Sequence, residues 1–423
     1  MAIALPLLAP DFDAPAPFRD LCTDCGLSRT SEPSRCGTAC QFIAPDYPRL
    51  ETQVHGRTRD LTIPDELHFG PHTAMWRARM RTPVDGAQWT GITTRLAARL
   101  LETGEVDAVL ATAADPDDRW RPRPVLVRQA SDMAQCRGMR MGYSPVLALL
   151  DEAASLGLRK LAIVGVPCQI HALRAIEAEL GLERLIVIGT PCSDNTHTER
   201  FHHFLSLLTS RPSDVTYLEF LADYRVELRF ADGAVQHVAY AQLPIDKLPR
   251  DFIPLTCRSC FDYTNALADV VVGYLAGDGD QWVIARNERG MAALALLGDE
   301  LQREALTTRG ARAKAVGIVA GALARQAGGL PLRRAPVWAR PLIGWMQRRF
   351  GPRGLEFARA RIEMKAIEGV LNLRAERPRR MRRLVPAHAW ALAAPYAVTP
   401  LDGERTMEST PRRGAARTAP AVR

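Results

Sequence analysis

The chain has 423 residues, 47% of them hydrophobic and 24% charged, a composition typical of a globular protein of two or three domains. No apolar run approaches the roughly 20 residues that span a bilayer. The opening residues lack the basic start and the small-residue cleavage site of a secretory signal. These features argue against a membrane-spanning or secreted protein, and we expect a cytoplasmic one.

The net charge of +8 is distributed unevenly. Residues 301–423 contain 25 Lys and Arg against 8 Asp and Glu, whereas residues 1–300 carry a net charge of −9. The basic C-terminal third fits an acidic protein partner or an anionic lipid surface, so peripheral contact with a membrane is a second option for its location. No nucleic-acid-binding motif accompanies the charge, so we expect no nucleic-acid partner.

The hydrophobic pattern predicts an α/β (mixed α+β) fold. From residue 86 onward, apolar runs of strand length alternate with amphipathic helical stretches, which implies a mainly parallel sheet core. Residues 215–240 contain an Asp-Gly turn between extended segments and predict an antiparallel hairpin, as an insertion or sheet extension. Predicted helices cover residues 90–101, 145–156 and 170–180 and begin again near 290; predicted strands cover 106–112, 160–166, 185–188, 269–275 and 282–286.

This pattern predicts four segments. Residues 1–80 form a cysteine-rich, loop-dominated N-terminal segment, and residues 81–300 form the α/β core. Residues 301–400 form a basic helical region, and residues 401–423 form a disordered tail of Arg, Ala, Pro, Thr and Ser.

Four of the nine cysteines lie within 19 residues of the N-terminal segment, spaced C-x2-C-x10-C-x3-C: Cys22, Cys25, Cys36 and Cys40. Four thiolates in a short loop-rich segment can hold either a structural zinc ion or an iron-sulfur cluster, and their spacing leaves both open. A disulfide framework is the third interpretation, and a reducing cytoplasm disfavours it.

A second set of cysteines is dispersed in sequence but lies near predicted strand ends: Cys168, Cys192, Cys257 and Cys260. Cys168 and Cys192 follow neighbouring predicted strands, where open α/β sheets place their ligands. A single cysteine of this kind is most often a core residue, but four at strand ends favour a cluster. Cys136 lies outside both sets and is expected to be dispensable.

Several segments resemble one family. GVPCQIHALR, the Cys192 segment and CRSCFDYTNALADVVVGY are similar to signature segments of the family of deazaflavin-coenzyme hydrogenase/dehydrogenase beta subunits. VHGRTRD, DELHFGP, PVDGAQWTGI and RNERG resemble the branch that contains the ferredoxin-dependent divinyl chlorophyllide 8-vinyl reductase and 7-hydroxymethyl chlorophyll a reductase. The resemblance covers roughly residues 20–370.

The resemblance implies FAD and two 4Fe-4S clusters as cofactors. It makes residues 1–80 an N-terminal iron-sulfur segment and residues 81–300 an FAD- and iron-sulfur-binding core. The second set matches the ligands of the family's inner cluster, and the N-terminal set matches those of the branch's second cluster. In the plant and cyanobacterial members the first motif reads C-x2-C-x2-C, whereas Ser28 stands at the third position here. We infer that Cys36 replaces the missing ligand.

Flavin-binding residues are predicted in two places. The turn formed by Gly86, Gln88, Trp89, Thr90 and Gly91 precedes a helix, whose N-terminus could receive a pyrophosphate, although a tight loop with a Thr cap has the same pattern. It also resembles the family's flavin-binding turn. By the same resemblance, Asn265 and Asp269 are candidate flavin contacts, with a turn residue and a strand cap as the alternatives.

The expected activity is that of an oxidoreductase acting on a CH-CH group, with ferredoxin as donor and a chlorophyllide-type tetrapyrrole as substrate. By the resemblance, the 8-vinyl group of divinyl (proto)chlorophyllide is reduced to ethyl in (bacterio)chlorophyll biosynthesis. The alternatives are a 7-hydroxymethyl chlorophyll a reductase-like enzyme and an electron-transfer beta subunit. The general acid is expected among His55, His68, His72 and Tyr143, and ferredoxin is expected to dock near the N-terminal cluster. The resemblance also implies that any membrane the protein contacts peripherally is the photosynthetic membrane.

Overall fold

The computed structural model of the protein describes residues 21–221, 223–274, 281–326 and 335–405. Its strands are β1 Ala74–Met80, β2 Ala108–Ala114, β3 Pro122–Val127, β4 Lys160–Gly165, β5 Arg184–Gly189, β6 Val215–Phe220, β7 Arg225–Phe230, β8 Val235–Ala239, β9 Val270–Tyr274, β10 Gln281–Ala285, β11 Leu301–Glu304, β12 Thr308–Arg309 and β13 Arg353–Gly354.

The α-helices are α1 Cys36–Ala39, α2 Tyr47–His55, α3 Pro64–Phe69, α4 Ile92–Glu102, α5 Leu150–Ser155, α6 Pro167–Ile176, α7 Thr198–Leu208, α8 Leu255–Arg258, α9 Glu288–Ala295, α10 Arg312–Gln326, α11 Arg340–Phe350, α12 Leu355–Glu376, α13 Met381–Leu384 and α14 Ala387–Ala393. Within the described ranges, no helix is both long and apolar enough to cross a membrane.

Eight strands form one mixed sheet in the order β11-β1-β10-β9-β5-β4-β2-β3. The central four strands, β9, β5, β4 and β2, are parallel, and antiparallel strands flank them on both sides. The prediction of a mainly parallel core with an antiparallel extension is confirmed. The residues predicted as a hairpin at 215–240 form β6, β7 and β8, a separate antiparallel sheet inserted between β5 and β9.

Side chains of the central strands alternate between two apolar layers. Leu161 and Ile163 of β4 pack with helices α5, α6 and α12 on one face, and Ala162 packs with α4 and α9 on the other. A sheet covered on both faces needs apolar residues at successive positions, which explains the continuous apolar run in β4. The sheet is therefore the middle layer of three.

All three helices predicted with stated bounds differ from the structure. The one predicted at 145–156 is a 3-10 turn over Val146–Leu149 followed by α5. The first begins at Ile92 rather than residue 90, because Gly91 precedes it in a left-handed conformation, with φ at +80°. The helix predicted at 170–180 begins earlier, at Pro167, since proline is well suited to a first helical turn. Cys168 therefore lies within the first turn of α6. The predicted strand 269–275 and the predicted tail extend beyond the described residues at positions 275 and 406–423.

One apolar cluster spans the predicted segment boundaries. It includes Leu50 from the N-terminal segment, Leu161 from the predicted core and Ile367 from the C-terminal region, all 1% exposed or less. The division into segments remains a prediction about the sequence. In the structure, the core is shared among them.

A buried carboxylate joins the layers near the start of β9. Asp269 is fully buried, and its Oδ2 accepts hydrogen bonds from Arg174 Nη2 at 2.9 Å and from the backbone N–H of Val187 at 2.8 Å. Its Oδ1 accepts from Asn287 Nδ2 at 2.8 Å and Arg289 Nε at 3.0 Å. Burial raises the pKa of Asp269, but the charges of Arg174 and Arg289 outweigh that effect, so the pKa lies below its usual value.

The Asp269→Ala variant should therefore unfold more easily. Arg174 is fully buried, so removal of the carboxylate breaks a buried ion pair and leaves Glu177 as the remaining salt-bridge partner of Arg174, at a cost of about 3–5 kcal/mol in the free energy of unfolding. Urea unfolding measures this loss. The exposed residue Asp402 provides the control, since Asp402→Ala should change the stability by less than about 0.5 kcal/mol. Equal stability of the two variants would contradict the structural role.

Candidate functional site

The four cysteines of the second set line one pocket. Cys168 lies in the first turn of α6 after β4, and Cys192 follows β5. Cys257 lies in α8, and Cys260 comes just after that helix. Because β4 and β5 are parallel, the chain segments that follow them leave the same edge of the sheet, and this brings the first two cysteines together.

Asn265 holds the two cysteine-bearing segments in place. Its Nδ2 donates to the carbonyl oxygen of Gly165, the last residue of β4, at 2.8 Å. It also donates to the carbonyl oxygen of Thr190, which directly follows β5, at 3.3 Å. Asn265 has φ at +57°, and a Cβ atom at Gly189 would lie 2.7 Å from its side chain. The buried Oδ1 of Asn265 has no hydrogen-bond partner among the described residues.

The thiols of this pocket interact electrostatically. Burial raises the pKa of Cys168 and of Cys192 well above the usual value, and the nearby thiols of Cys257 and Cys260 raise both further. Burial also raises the pKa of Cys260, to about 11. The site therefore disfavours four free thiolates, and an added positive group would stabilise them.

The N-terminal cysteines also come together. Cys36 begins α1 and Cys40 follows its last residue, while Cys22 and Cys25 lie in the preceding loop. Burial raises the pKa of Cys40 to about 11, and the thiols of Cys36 and Cys22 contribute to the increase. Burial also raises the pKa of Cys25, with contributions from the other three. This arrangement supports the inference that Cys36 belongs to the set, with Ser28 in a neighbouring 3-10 turn.

A glycine allows the N-terminal loop to approach the core closely. Gly26 has φ at +102°, and a Cβ atom there would lie 2.4 Å from both the carbonyl oxygen of Pro145 and the backbone nitrogen of Ala148. The backbone N–H of Leu147 donates to the carbonyl oxygen of Cys25 at 3.0 Å. The loop is thus fixed against the 3-10 turn before α5.

Residues beside the N-terminal cysteines reach into the second set. Thr23, Gln41 and Phe42 line the pocket of the second set. The Thr23 side chain hydrogen-bonds Cys168, and Gln41 Nε2 donates to Cys260 Sγ at 3.5 Å. Tyr47 orients this amide by donating from its hydroxyl to Gln41 Oε1 at 3.0 Å. The two sets of cysteines are therefore neighbours.

Helix α12 places a buried cation beside the pocket. Lys365 has a side chain only 4% exposed, and its Nζ lies 2.5 Å from Asp194 Oδ1 and also donates to the carbonyl oxygen of Cys257. Burial lowers the pKa of Lys365, but the nearby Asp194 and Glu368 side chains raise it by a larger amount. The net pKa is above the usual value, so the ammonium form is favoured. Its charge lowers the pKa of Cys257 and Cys260 against the effect of burial.

Sequence reasoning missed several of these residues. Thr23 and Gln41 directly follow the predicted ligands Cys22 and Cys40, so their position in the sequence could have identified them. Asp194, two residues after Cys192, carried the same signal. Lys365 carried none, because it lies more than a hundred residues from the nearest ligand in an Arg-rich helix.

Of the four candidate proton donors, Tyr143 contacts the cysteine pocket. Its hydroxyl lies 3.5 Å from Cys257 Sγ, and burial together with the thiols raises its pKa. His55 Nε2 lies 2.8 Å from the carbonyl oxygen of Ala266, and burial lowers its pKa to about 3. His68 Nε2 lies 2.8 Å from Glu363 Oε1, and His72 Nδ1 lies 2.9 Å from the carbonyl oxygen of Gly70. These contacts give the histidines structural roles, and the proton donor stays a prediction.

The predicted flavin turn lies at the sheet edge that also carries the cysteine pocket. Thr90 Oγ1 donates to Gln281 Oε1 at 3.1 Å. Gln281 is the β10 residue that pairs with Tyr274, at the end of β9. Gly86, Trp89 and Gly91 have positive φ values, and the N–H of Gly91 bonds the carbonyl oxygen of Gln88. The geometry is that of a tight loop, but Gly91 precedes the helix and no side chain caps it, so the expected Thr cap is absent from α4. Flavin binding stays a prediction.

Loop 137–143 connects the turn with the cysteine pocket. At one end, the Arg137 guanidinium donates to the carbonyl oxygen of Asp85, beside the turn. At the other end, Tyr143 contacts Cys257. Cys136, just before this loop, packs against the apolar layer that includes α4, apart from both cysteine sets. Asp269 lies at the opposite end of β9, where protein donors already engage both its oxygens.

The donor set fits an iron-sulfur cluster. Each thiolate of a cubane cluster binds a different iron atom, so its four ligands surround a space rather than converge on a point, as the cysteines around this pocket do. Among the described residues, no three His, Cys, Asp or Glu side chains form a group that could hold a single metal ion. Cys168, Cys192, Cys257 and Cys260 would hold such a cluster.

Two family models match the chain. The model for the N-terminal part of coenzyme F420 hydrogenase/dehydrogenase beta subunits covers residues 75–151, and the model for their C-terminal part covers residues 158–308. These matches identify an oxidoreductase-type protein. The chain belongs to the family of coenzyme F420 hydrogenase/dehydrogenase beta subunits, as its motifs predicted.

Relatives similar over most of their length include an uncharacterized protein of Nostoc sp., 36% identical over 90% of this chain and 94% of its own length. The chloroplastic 7-hydroxymethyl chlorophyll a reductase of Oryza sativa subsp. japonica is 37% identical over 90% of this chain and 83% of its own. A chain of the F420-reducing NiFe hydrogenase complex from Methanosarcina barkeri has a similar fold, with a TM-score of 0.50 and 24% identity over 56% of this chain and 84% of that one. The predicted family branch is supported by the Oryza relative.

Replacement of Cys257 by Ala should remove one cluster. Two cubane clusters contain about eight iron atoms, so the anaerobically purified variant should contain about four, with matching acid-labile sulfide. Cys136→Ser is the control and should leave the iron content unchanged. Full iron content in Cys257→Ala, or zinc without sulfide in the unaltered protein, would contradict the assignment.

Proposed function

We propose that this protein is an iron-sulfur flavoprotein that accepts single electrons from a ferredoxin and reduces a chlorophyll-type tetrapyrrole. The first substrate to test is divinyl (proto)chlorophyllide, at its 8-vinyl group. The observation that carries the proposal is the pocket lined by Cys168, Cys192, Cys257 and Cys260, with the second four-cysteine set directly against it. Two neighbouring sets of thiols are suited to hold a pair of electron carriers.

Reduction of a vinyl group to ethyl requires two electrons and two protons. Iron-sulfur clusters supply electrons singly, and a bound flavin would supply them in pairs. The 86–91 turn and the N-terminus of α4 would hold FAD, a prediction that rests on the family resemblance. Loop 137–143 supports it, because this loop connects the turn with Cys257 through Arg137 and Tyr143. Tyr143 is positioned to orient groups beside the pocket.

Reduction of a 7-hydroxymethyl group is the second candidate. The Oryza relative with that activity in its name aligns with 90% of this chain and favours it. A component of the F420H2 dehydrogenase of Methanosarcina mazei aligns with only 51% of this chain, so the electron-transfer role has weaker support. Both reductions consume two electrons and two protons, but only the second releases water.

A basic segment after α12 is the proposed docking site for ferredoxin. Arg379, Arg382 and Arg383 are exposed, and Arg380 is half-buried. Glu376, at the end of α12, accepts a hydrogen bond from Arg258 Nη1 at 2.8 Å, and Arg258 adjoins Cys257. These contacts connect the segment with the second cysteine set, whereas the sequence expectation placed the docking surface near the N-terminal set.

A direct assay separates the substrates. The anaerobic protein, with reduced ferredoxin, is incubated with divinyl protochlorophyllide or with 7-hydroxymethyl chlorophyll a, and the products are analysed by mass spectrometry. We expect divinyl protochlorophyllide to gain two hydrogens, whereas loss of the hydroxyl oxygen from the other pigment would favour the second candidate. If the protein reduces neither pigment while its clusters and flavin are intact, the proposed reductase activity is contradicted and an electron-transfer role is favoured.

Ferredoxin-driven turnover should fall as salt is added. Typical ferredoxins are acidic, so steering by the basic segment should raise association by a factor on the order of ten to a thousand and weaken as salt screens it. Combined neutralisation of Arg379, Arg380, Arg382 and Arg383 should reproduce part of the loss. Turnover with a small neutral reductant is the control. The docking site would be refuted if ferredoxin-driven turnover did not depend on salt and the variant with all four arginines neutralised turned over at the unaltered rate.

A further inference from the structure

Helix α11 and the turn before it expose a concentrated apolar surface. We define the α11 apolar face as Val337, Trp338, Leu342, Trp345, Met346 and Phe350, whose exposed fractions range from 42% to 82%. Six of the twelve large hydrophobic residues that are exposed in the described parts of the chain lie in this one segment. Isolated exposed hydrophobic residues are common in proteins, but a contiguous patch marks an interaction surface.

The opposite side of α11 is anchored, so this face points away from the protein. Gly344 is buried, and a Cβ atom there would lie 3.4 Å from the side chain of Ala239, in the separate antiparallel sheet. Arg340 Nη2 donates to Asp246 Oδ2 at 3.3 Å. The exposed residues at 338, 342, 345, 346 and 350 follow the spacing of one helical stripe.

The surroundings of the face are strongly basic. Residues 305–355 contain ten Lys and Arg and no Asp or Glu. Within α11, Arg348 and Arg349 lie in the last turn, and the Arg349 guanidinium lies 5.8 Å from the centre of the Phe350 ring. Tryptophan and arginine beside aliphatic side chains are the residues that bind the boundary between acyl chains and headgroups.

We propose that the α11 apolar face binds the surface of a membrane that contains anionic lipids. Its apolar residues enter the headgroup region, and Arg348 and Arg349 pair with lipid phosphates. A second copy of the chain is disfavoured, because a symmetric interface places the same strongly basic patch on both of its sides. The proposal rests on exposure and charge, and it is independent of the proposed reaction.

Vesicle flotation of the full holoprotein tests this proposal. We expect binding to phosphatidylcholine vesicles that contain phosphatidylglycerol and little binding to phosphatidylcholine alone. Combined Trp338→Ser, Leu342→Ser and Trp345→Ser should weaken binding by at least about tenfold. Arg348→Gln with Arg349→Gln should weaken it by roughly thirtyfold, the factor given by about 1 kcal/mol per arginine.

Two exposed leucines elsewhere provide the matched control. Leu156 and Leu401 are 50% and 58% exposed, and their combined replacement by Ser should leave binding unchanged. The proposal is overturned if the holoprotein does not bind anionic vesicles, or if the triple variant binds as well as the unaltered protein. It is also overturned if light scattering shows a dimer that the triple variant dissociates, since the face would then be a self-association surface.

Discussion

The buried ammonium group of Lys365 is the contact on which the cysteine pocket depends most. It lies beside Asp194 and donates to the carbonyl oxygen of Cys257, with only 4% of its side chain exposed. Four thiolates around one pocket concentrate negative charge in a buried region, and a fixed cation stabilises that charge. Since Lys365 belongs to α12, this C-terminal helix is part of the site.

The sheet explains the rest of the arrangement. Cys168 and Cys192 follow neighbouring parallel strands, and the Asn265 amide ties the ends of those strands together. The N-terminal loop then covers the pocket, with Gln41 donating to Cys260. The protein thus builds two adjacent sulfur sites from one rigid edge and one loop, which suits transfer of electrons over a short distance.

The sequence predicted the features that follow from local pattern. The parallel core could be predicted from alternating apolar runs and helices, and the positions of Cys168 and Cys192 from the rule that ligands lie at the carboxyl ends of strands. The role of Cys257 and Cys260 needed a family resemblance, because only the fold brings α8 to that edge.

Long-range pairing could not be predicted. Nothing in the sequence around His68 distinguishes it from an ordinary surface histidine, but its side chain pairs with Glu363, 295 residues away. Asp269 was predicted as a flavin contact from the family resemblance, and the structure surrounds it with Arg174, Arg289 and Asn287. Both cases depend on which elements pack together, and a single sequence does not encode that in its spacing.

We propose that two iron-sulfur clusters lie side by side in this protein. Electron paramagnetic resonance of the anaerobic, fully reduced protein tests it most directly, because two nearby paramagnetic clusters split and broaden each other's signals. We expect an interacting spectrum that simplifies to one unsplit cluster signal when Cys192 is replaced by Ala. A spectrum without cluster signals, or two signals that simply add and remain unchanged in the Cys192→Ala variant, would contradict it.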